Sequence, residues 1–313
     1  MTRAFIFPGQ GAQTIGMGRD LAEAYPAARA VFDEVDAALG EKLSALIWEG
    51  EQDTLTLTAN AQPALMATSL AAMAALKAEG VEVGAASYVA GHSLGEYSAL
   101  AAAGSLTIAD TARLLRIRGE AMQAAVPVGQ GAMAAILGLG YDAVVAVAAE
   151  AAEGAVCTAA NDNDPAQVVI SGEKAAVERA VEIAKLQGAK RALMLPVSAP
   201  FHCALMQPAA DAMAAALADV TLNDPAVPLV ANVTAGAVTS AADIRAHLVT
   251  QVTGRVRWRE SVGYMAAQGV TETWEIGAGK ALSGMVKRID RAVETRSVGT
   301  PDEVRAAAES LAG

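Results

Sequence analysis

Short apolar segments that alternate with longer helical stretches constrain the fold of this chain more than any other feature of its sequence. We predict strands over residues 4–7, 86–90, 227–233, 270–275 and 294–298. Helices are predicted over residues 18–39, 41–49, 60–79, 95–104, 107–126, 204–219, 241–251, 259–268, 279–289 and 301–311, and Pro63 suits the first turn of its helix. Such alternation is typical of an α/β protein with a largely parallel sheet covered by helices on both faces.

A second pattern interrupts this alternation. Between residues 131 and 197 the order is strand, helix, strand, strand, helix, strand, over 132–139, 141–152, 155–160, 167–171, 173–187 and 190–195. This order is the signature of a ferredoxin-like unit. It is bounded by a Pro- and Gly-rich segment from Pro127 to Gly131 and by Pro196. We therefore expect residues 1–127 and 198–313 to form the main core, and residues 128–197 to form an inserted subdomain.

Composition and charge exclude several classes of protein. Hydrophobic residues make up 53% of the 313 residues and charged residues 18%, which excludes disorder and leaves enough apolar side chain for a sizeable core. With 34 acidic and 23 basic residues the net charge is −11, so neither nucleic acid nor an anionic membrane is an expected partner. No uncharged apolar stretch reaches the roughly 18 residues of a spanning helix, and we expect a cytoplasmic protein.

The sequence gives no indication of a metal or nucleotide site. Cys157 and Cys203 have no metal-ligand spacing, and the chain contains only three histidines. The glycine-rich loop at residues 7–11 leaves the first strand at the sheet edge where α/β proteins bind ligands. It lacks both the lysine of a P-loop and the spacing of a dinucleotide fingerprint. We therefore expect no metal and no cofactor.

The pentapeptide Gly91-His92-Ser93-Leu94-Gly95 lies between a predicted strand and a predicted helix. Its glycines allow a tight turn that raises the Ser93 hydroxyl above the sheet edge, and the following helix N-terminus favours developing negative charge. This context favours Ser93 as a nucleophile. The alternative is an ordinary turn with a capping serine.

A serine nucleophile needs a base, and elimination leaves one candidate. His92 is a poor base because neighbours in a sharp turn point apart, and His247 lies on a mixed helix face. His202 lies in a Pro-containing loop where the inserted segment returns to the main core, and loops at such junctions line clefts. A structural histidine is the alternative. If His202 is a base with an ordinary histidine pKa, it becomes protonated as the pH drops through roughly 6 to 7, and the activity of the protein should fall over this range.

The group that would orient this base is not evident from the sequence. Glu96 follows Ser93 by three residues, on the wrong side for His202. Either an acid is hidden among the ordinary carboxylates, or a backbone carbonyl orients the base. A serine–histidine dyad is adequate for a thioester substrate, whose carbonyl is less stabilised by resonance than an amide.

Arg118 carries the most informative charge of the helix at 107–126. The residues three and four positions away on either side are all apolar, namely Leu114, Leu115, Ala121 and Met122. A buried arginine cannot lose its proton and demands an anionic partner. That partner is either an internal carboxylate in a structural salt bridge or a carboxylate or phosphate of a substrate, and the helix pattern leaves both open.

Taken together, these motifs resemble the malonyl-coenzyme A:acyl-carrier-protein transacylases of dissociated fatty-acid synthesis, and their relatives the acyltransferase domains of polyketide synthases. The matching segments, in chain order and across essentially the whole chain, are residues 7–11, 91–96, 116–119, 161–172, 200–202 and 275–279. Each segment alone is modest evidence. Together and in this order they are highly specific.

The resemblance implies an α/β-hydrolase-like core with an inserted ferredoxin-like subdomain. It also implies a role for each candidate residue: Ser93 as nucleophile, His202 as general base and acid, the Gln251 carbonyl as the group that orients His202, the backbone N–H groups of Gln10 and Leu94 as oxyanion hole, and Arg118 as partner of the malonyl carboxylate. Phe201, just before the histidine, is similar to the malonyl-selecting pattern of the polyketide relatives.

The implied reaction moves a malonyl group from malonyl-coenzyme A, through a malonyl-serine, to the phosphopantetheine thiol of acyl carrier protein. We expect a monomer that needs no cofactor of its own. Carrier proteins are acidic, so docking needs a basic patch; the candidates are Lys185, Lys190 and Arg191, or Arg255, Arg257 and Arg259. The alternatives are a serine hydrolase or thioesterase, a polyketide extender-unit acyltransferase, and a non-catalytic relative that binds carrier protein.

Overall fold

A computed structural model describes residues 2–197 and 199–312, without the side chain of Ala312. Its strands are β1 (Arg3–Phe7), β2 (Tyr88–Gly91), β3 (Gly131–Leu137), β4 (Cys157–Asp164), β5 (Gln167–Glu173), β6 (Arg191–Met194), β7 (Leu229–Val230), β8 (Ala237–Val238), β9 (Glu272–Ile276) and β10 (Glu294–Val298). Its helices are α1 (Arg19–Ala24), α2 (Pro26–Leu39), α3 (Leu43–Glu49), α4 (Gln52–Thr56), α5 (Thr58–Ala78), α6 (Gly95–Ala102), α7 (Ile108–Ala124), α8 (Tyr141–Ala152), α9 (Lys174–Leu186), α10 (Gln207–Ala218), α11 (Ala241–Thr253), α12 (Trp258–Ala267), α13 (Ala281–Ile289) and α14 (Pro301–Ala312).

The larger sheet has six strands in the order β10-β9-β1-β2-β7-β8, and only the edge strand β8 runs antiparallel to its neighbour. Side chains of β1 alternate between the two faces: Phe5 and Phe7 pack against one helical layer, and Ala4 and Ile6 pack against another that includes α12 and α13. This arrangement confirms the predicted α/β class. In the register of β1 and β2, Phe7 pairs with Gly91, so the loops that follow these two strands start side by side.

The smaller sheet has the order β4-β5-β3-β6 with every neighbouring pair antiparallel. Helices α8 and α9 supply Val144, Val147, Val177 and Ala180 to an apolar cluster that this sheet shares with Ile136 and neighbouring side chains. The strand order and the two helices confirm the predicted ferredoxin-like unit. The exact boundaries of the insertion, at 127/128 and 197/198, remain a prediction.

One edge of the smaller sheet is joined to the main core through β4. Asn161 forms a parallel bridge with Val256, and the Asp162 N–H donates to the Val256 carbonyl at 2.9 Å. Two buried carboxylates of β4 also bind arginines of the core, Asp162 with Arg259 of α12 at 2.8 Å and Asp164 with Arg288 of α13 at 2.7 Å. The insertion is therefore held to the core by both backbone and ionic contacts.

The structure differs from the predicted elements at several places, and α4 and β8 were not predicted. The predicted helix 18–39 is two helices, because the chain is extended at Tyr25 and Pro26 starts α2. Helix α5 begins at Thr58, so Pro63 lies inside the helix and not in its first turn. The predicted strand 227–233 is only β7, because the chain turns back after Val230 and pairs with β8.

Within the described residues, no helix combines the length and the apolar character needed to cross a membrane.

Candidate active site

The turn between β2 and α6 is tight enough to require both of its outer glycines. A Cβ atom at Gly91 would lie 1.9 Å from the Gly95 carbonyl, and one at Gly95 would lie 2.3 Å from the Phe7 carbonyl oxygen. Ser93 between them has a φ of +53°, a conformation that costs a non-glycine residue energy. The N-cap position of α6 is taken by Leu94, and the Ser93 hydroxyl lies within hydrogen-bond distance of His202 Nε2 and Arg118 Nη2. This geometry is that of a nucleophile elbow and not that of an ordinary capped turn.

His202 is the histidine that reaches the serine. The Ser93 hydroxyl donates to His202 Nε2 at 2.8 Å, and His202 Nδ1 lies 3.0 Å from the Gln251 carbonyl oxygen and 3.1 Å from that of Gly254. Because a carbonyl can only accept, Nδ1 carries the ring proton and Nε2 is free to accept the serine proton. Backbone carbonyls, and not a hidden carboxylate, therefore orient this ring.

Burial changes the acid–base behaviour of His202. The side chain is almost fully buried, and desolvation, with the charge of Arg118 as the next cause, lowers its pKa to about 3. The Gln251 carbonyl opposes this shift only in part. The expectation of an ordinary histidine pKa is therefore wrong, and the ring is neutral at pH 5 and above.

The other two histidines lie elsewhere. His92 Nε2 is 2.8 Å from Asn163 Oδ1, its ring is tilted against Trp258, and burial lowers its pKa. His247 is half-buried on α11 and does not line the cavity at Ser93. Neither side chain contacts the Ser93 hydroxyl, as the elimination from the sequence predicted.

Arg118 is 1% exposed and points at the serine. Its Nη2 donates to Ser93 Oγ at 3.1 Å and to Gln251 Oε1 at 2.9 Å, and its Nη1 donates to Gln62 Oε1 at 2.7 Å. All three acceptors are neutral. Over residues 2–197 and 199–312, no carboxylate forms an ion pair with this guanidinium. The structural salt bridge that the sequence left open is thus not present there, and the positive charge faces the cavity.

Two backbone N–H groups at the cavity, those of Gln10 and Leu94, are candidates for an oxyanion site beside Ser93. The loop after β1 approaches the elbow closely, since a Cβ atom at Gly9 would lie 2.6 Å from the His92 carbonyl oxygen. Gln10 and Leu94 both line the cavity, and in the described part of the chain neither donates its N–H to another residue. The Gln10 side chain is held separately, by a 2.9 Å hydrogen bond from Thr58. The arrangement can stabilise an oxyanion.

Two residues that sequence reasoning missed, Asn232 and Gln62, and the side chain of Gln251 hold this constellation together. Asn232 accepts the Ser93 N–H at 2.8 Å and donates to the Gly91 carbonyl at 2.6 Å. The Gln251 side chain donates to the Ser93 carbonyl at 3.0 Å, and Gln62 holds Arg118 from α5. Only the backbone of Gln251 was predicted to have a role. Gln62 and Asn232 are buried and belong to no motif. A polar residue within an apolar stretch of sequence was the only feature that could have indicated a role for them.

The site opens into a cavity of about 360 Å³ between the core and the insertion. The insertion contributes Met133, Asn161, Asn163, Gln167 and Val169, and α13 contributes Leu282 and Met285. The motif at 275–279 fixes the position of α13, because the buried Glu275 accepts the N–H groups of Leu282 at 3.0 Å and Ser283 at 2.7 Å. No cluster of three or more metal-binding side chains occurs among the residues that the structure covers.

Comparisons with known proteins agree with this geometry. The model of the acyl transferase domain family matches residues 4–298. The malonyl CoA-acyl carrier protein transacylase of Bacillus subtilis is 48% identical over 309 residues, covering 98% of this chain and 96% of its own. An acyl-carrier-protein-S-malonyltransferase from Bartonella henselae superimposes with a TM-score of 0.98 at 55% identity, over the full length of both chains.

A further solved structure includes a partner. It contains a type II PKS acyl-carrier protein in complex with its malonyl-transacylase, to which this chain is similar with a TM-score of 0.96 at 44% identity, covering 99% of this chain and 100% of that one. Family model, sequence and structure agree over essentially the whole length. The chain belongs to the acyl transferase domain family and, within it, to the malonyl CoA-acyl carrier protein transacylases.

Proposed function

We propose that this chain transfers the malonyl group of malonyl-coenzyme A to the phosphopantetheine thiol of acyl carrier protein, through a malonyl ester on Ser93. One observation carries the proposal: the Ser93 hydroxyl lies 2.8 Å from a neutral, oriented histidine and 3.1 Å from a buried arginine that has no carboxylate partner in the described residues. The first contact supplies a nucleophile with its base, and the second supplies a cation for a substrate carboxylate beside it.

In the first half-reaction, Ser93 Oγ attacks the thioester carbonyl carbon while His202 Nε2 takes the hydroxyl proton. The resulting imidazolium is held by the Gln251 and Gly254 carbonyls at Nδ1. The oxyanion forms between the N–H groups of Gln10 and Leu94. Collapse of the tetrahedral intermediate breaks the C–S bond, and His202 returns its proton to the departing coenzyme A sulfur.

In the second half-reaction, the carrier thiol takes the place of coenzyme A. His202 Nε2 takes the thiol proton, and the sulfur attacks the ester carbonyl through the same oxyanion site. The C–O bond to Ser93 then breaks, and His202 returns the proton to Ser93 Oγ. The order is ping-pong because one serine serves both thiols in turn. Nucleophile, base and oxyanion donors are all protein groups, so the proposed reaction needs neither metal nor further cofactor.

Arg118 gives the proposed site its preference for malonyl over acetyl groups. Its guanidinium is held by Gln62 and Gln251, neutral acceptors that fix the geometry without neutralising the charge. A malonyl carboxylate can pair with the guanidinium in a bidentate contact when it takes the place of the Ser93 contact at Nη2. Acetyl leaves the buried charge unpaired, which costs free energy in the transition state.

Acyl carrier protein is the proposed macromolecular partner, and the charges favour one of the two candidate patches. Arg255 and Arg257 are both paired with Glu260, and Arg259 with Asp162. In the other patch Lys185 is paired with Glu182, but Lys190 and Arg191 are exposed and form no ion pair with described residues. Arg191 is the first residue of β6 and Lys190 precedes it, and the continuation of this strand through residues 195–197 lines the cavity. We therefore propose that the acidic carrier docks at Lys190 and Arg191. As separate proposals, the chain acts as a monomer and in the cytoplasm.

The decisive experiment is the intact mass of the protein after brief incubation with malonyl-coenzyme A. We expect the mass of one malonyl ester on the wild type and no change on Ser93→Ala. The adduct should persist in buffer and disappear on addition of carrier protein with its phosphopantetheine. An adduct that decays in buffer at the same rate without a thiol would indicate a hydrolase, and an unmodified wild type would contradict the proposed function.

A further inference from the structure

The proposed mechanism leaves one buried carboxylate close to the site without a task. Glu96 is the second residue of α6 and is 0% exposed. It does not contact His202, in agreement with the sequence. Its Oε2 accepts two hydrogen bonds, from Gln251 Nε2 at 2.8 Å and from the Asn232 N–H at 3.1 Å. Burying a carboxylate that has no ion-pair partner costs folding free energy, and this cost indicates that Glu96 has a role in the active site.

The Gln251 side chain connects Glu96 to both reactive groups. One end of the amide, Nε2, donates to Glu96 and to the Ser93 carbonyl, and the other end, Oε1, accepts from Arg118. Rotating the amide by 180° would place Oε1 against two acceptors and the NH₂ group against a guanidinium, which can only donate. The orientation that offers Oε1 to Arg118 is thus fixed from the opposite end of the amide.

Glu96 reaches the backbone of Ser93 by a second route. Asn232, whose N–H is bound by Glu96, accepts the Ser93 N–H through Oδ1 at 2.8 Å. Both backbone polar groups of the strained Ser93 are therefore held by residues that Glu96 holds in turn. Burial raises the pKa of Glu96 to about 7, against the opposing effects of Gln251, Asn232 and Arg118. Either protonation state keeps an oxygen that can accept from Gln251.

We propose that Glu96 is a positioning residue of the transfer reaction: it fixes the Gln251 amide and, through it, the direction of the Arg118 guanidinium at Ser93. This assignment rests on the proposed function. The effect of Glu96 on the malonyl carboxylate passes through Gln251 to Arg118, whereas the second route, through Asn232, acts on Ser93 and affects both thioesters alike. Losing Glu96 as an acceptor impairs the reading of the malonyl carboxylate more than the chemistry of the thioester.

The test measures kcat/KM for malonyl-coenzyme A and for acetyl-coenzyme A in four variants and one control. Glu96→Asp keeps the charge but withdraws the oxygens from Gln251, and we expect it to lower the malonyl preference about 10-fold, the usual scale for a lost hydrogen bond to a charged group. Glu96→Gln keeps an acceptor at the same distance and should restore the preference to within about threefold of wild type. Gln251→Met removes the amide but keeps the backbone carbonyl that orients His202.

The double variant Glu96→Asp with Gln251→Met decides whether Glu96 acts through Gln251. We expect Glu96→Asp to have no further effect on the preference once the amide is gone, whereas independent effects would multiply. The matched control is Glu272→Asp. Glu272 is a buried glutamate of β9 that pairs with Arg3 of β1 and lies outside the cavity. This control should leave the preference unchanged.

The outcomes separate this assignment from the proposed function. Equal losses with both thioesters in Glu96→Asp, or multiplicative effects in the double variant, would overturn the positioning role while malonyl transfer by the wild type stands. A wild type that forms no malonyl-enzyme would overturn the proposed function itself, and this assignment with it. If Glu96→Asp does not fold, the malonyl preference can still be compared among the wild type, Glu96→Gln and Gln251→Met. A Gln251→Met variant with full malonyl preference would contradict the proposal directly.

Discussion

Ser93 Oγ and His202 Nε2 lie 2.8 Å apart, and both residues have left-handed backbone conformations, with φ values of +53° and +58°. Two strained residues that face each other across a cavity are typical of an active site, where the surrounding structure compensates the strain. Here the compensation is visible. Asn232 and Gln251 bind the backbone of Ser93, and the carbonyls of Gln251 and Gly254 bind the ring of His202.

The environment of Arg118 predicts the selectivity of the enzyme. Arg118→Ala should remove the preference for malonyl over acetyl, a loss of roughly 30- to several-thousand-fold, because acetyl transfer no longer leaves a buried charge unpaired. Arg118→Lys should recover little, since an ammonium cannot replace the planar fork. The measurement is kcat/KM for both thioesters.

Arg113 on the same helix is the control for this comparison. It is exposed and paired with Asp110, and Arg113→Ala should change neither value. A malonyl preference that survives in Arg118→Ala would mean that another group reads the carboxylate.

The burial of His202 predicts the pH profile. A general base must be neutral, and a pKa lowered to about 3 means that protonation begins only at strongly acidic pH. Formation of the malonyl-enzyme should therefore not fall through pH 7 to 6, as it would for an exposed histidine, and should hold down to about pH 5. Rapid-quench mass spectrometry over this range measures it.

Substitutions test the same assignment independently of pH. His202→Ala should slow malonyl-enzyme formation about 100-fold or more, the usual effect of losing a positioned base, and His247→Ala should have no effect. An acid limb centred near pH 6.5 in the wild type would show that water reaches the ring.

The raised pKa of Glu96 predicts a pH-dependent stability. Between the ordinary value of 4.5 and about 7, the folded protein holds a proton that the unfolded chain has released. The free energy of unfolding therefore falls as the pH rises through this window, by about 3 kcal/mol from this group. Glu96→Gln cannot titrate and should lack the decline.

Urea titrations of both proteins from pH 4 to 8 provide the measurement. The difference in unfolding free energy between the variant and the wild type should grow with pH in favour of the variant and level off above about pH 7. A difference that stays constant over the whole range would show that the pKa of Glu96 is the same in the folded and the unfolded protein.

The unpaired charges at the start of β6 predict where the carrier docks. Lys190→Glu with Arg191→Glu should raise the KM for acyl carrier protein about 10-fold, and added salt should reduce the difference. Acylation by a malonyl thioester without phosphate groups should be unaffected, because the site at Ser93 is unchanged.

Lys77→Glu, on an exposed position outside the cavity, is the control and should leave the KM for the carrier at its wild-type value. An equal rise in this variant would show that net charge alone weakens the complex, and an unchanged KM in the double variant would place the docking face elsewhere.

How far the sequence predicted this site depends on where each partner lies along the chain. The elbow was predictable because Gly91 and Gly95 meet each other within five residues. The burial of Arg118 was predictable from the periodicity of α7. Its partners were not, since Gln62 and Gln251 come from other helices, 56 and 133 residues away. The lowered pKa of His202 was equally out of reach, because burial is a property of the assembled cavity.

The same limit applies to charge. The sequence left two basic clusters as candidates for docking, since Lys190 and Arg255 look alike in a linear chain. Folding pairs Arg255 and Arg257 with Glu260 and leaves Lys190 and Arg191 free of ion pairs among the residues described. The helix break at Tyr25 and the short β7 were missed for another reason, because both depend on a turn that the apolar pattern does not reveal.

The attachment of β4 to the core bears on any attempt to build hybrid enzymes from this family. An exchange cut at residues 128 and 197 would carry Asp162 and Asp164 into a foreign host, where both buried carboxylates need an arginine on the receiving α12 and α13. The segment around Val256 must also present its backbone to the incoming strand. The transplantable module is therefore discontinuous: it consists of the inserted segment together with residues 254–259 and the position of Arg288.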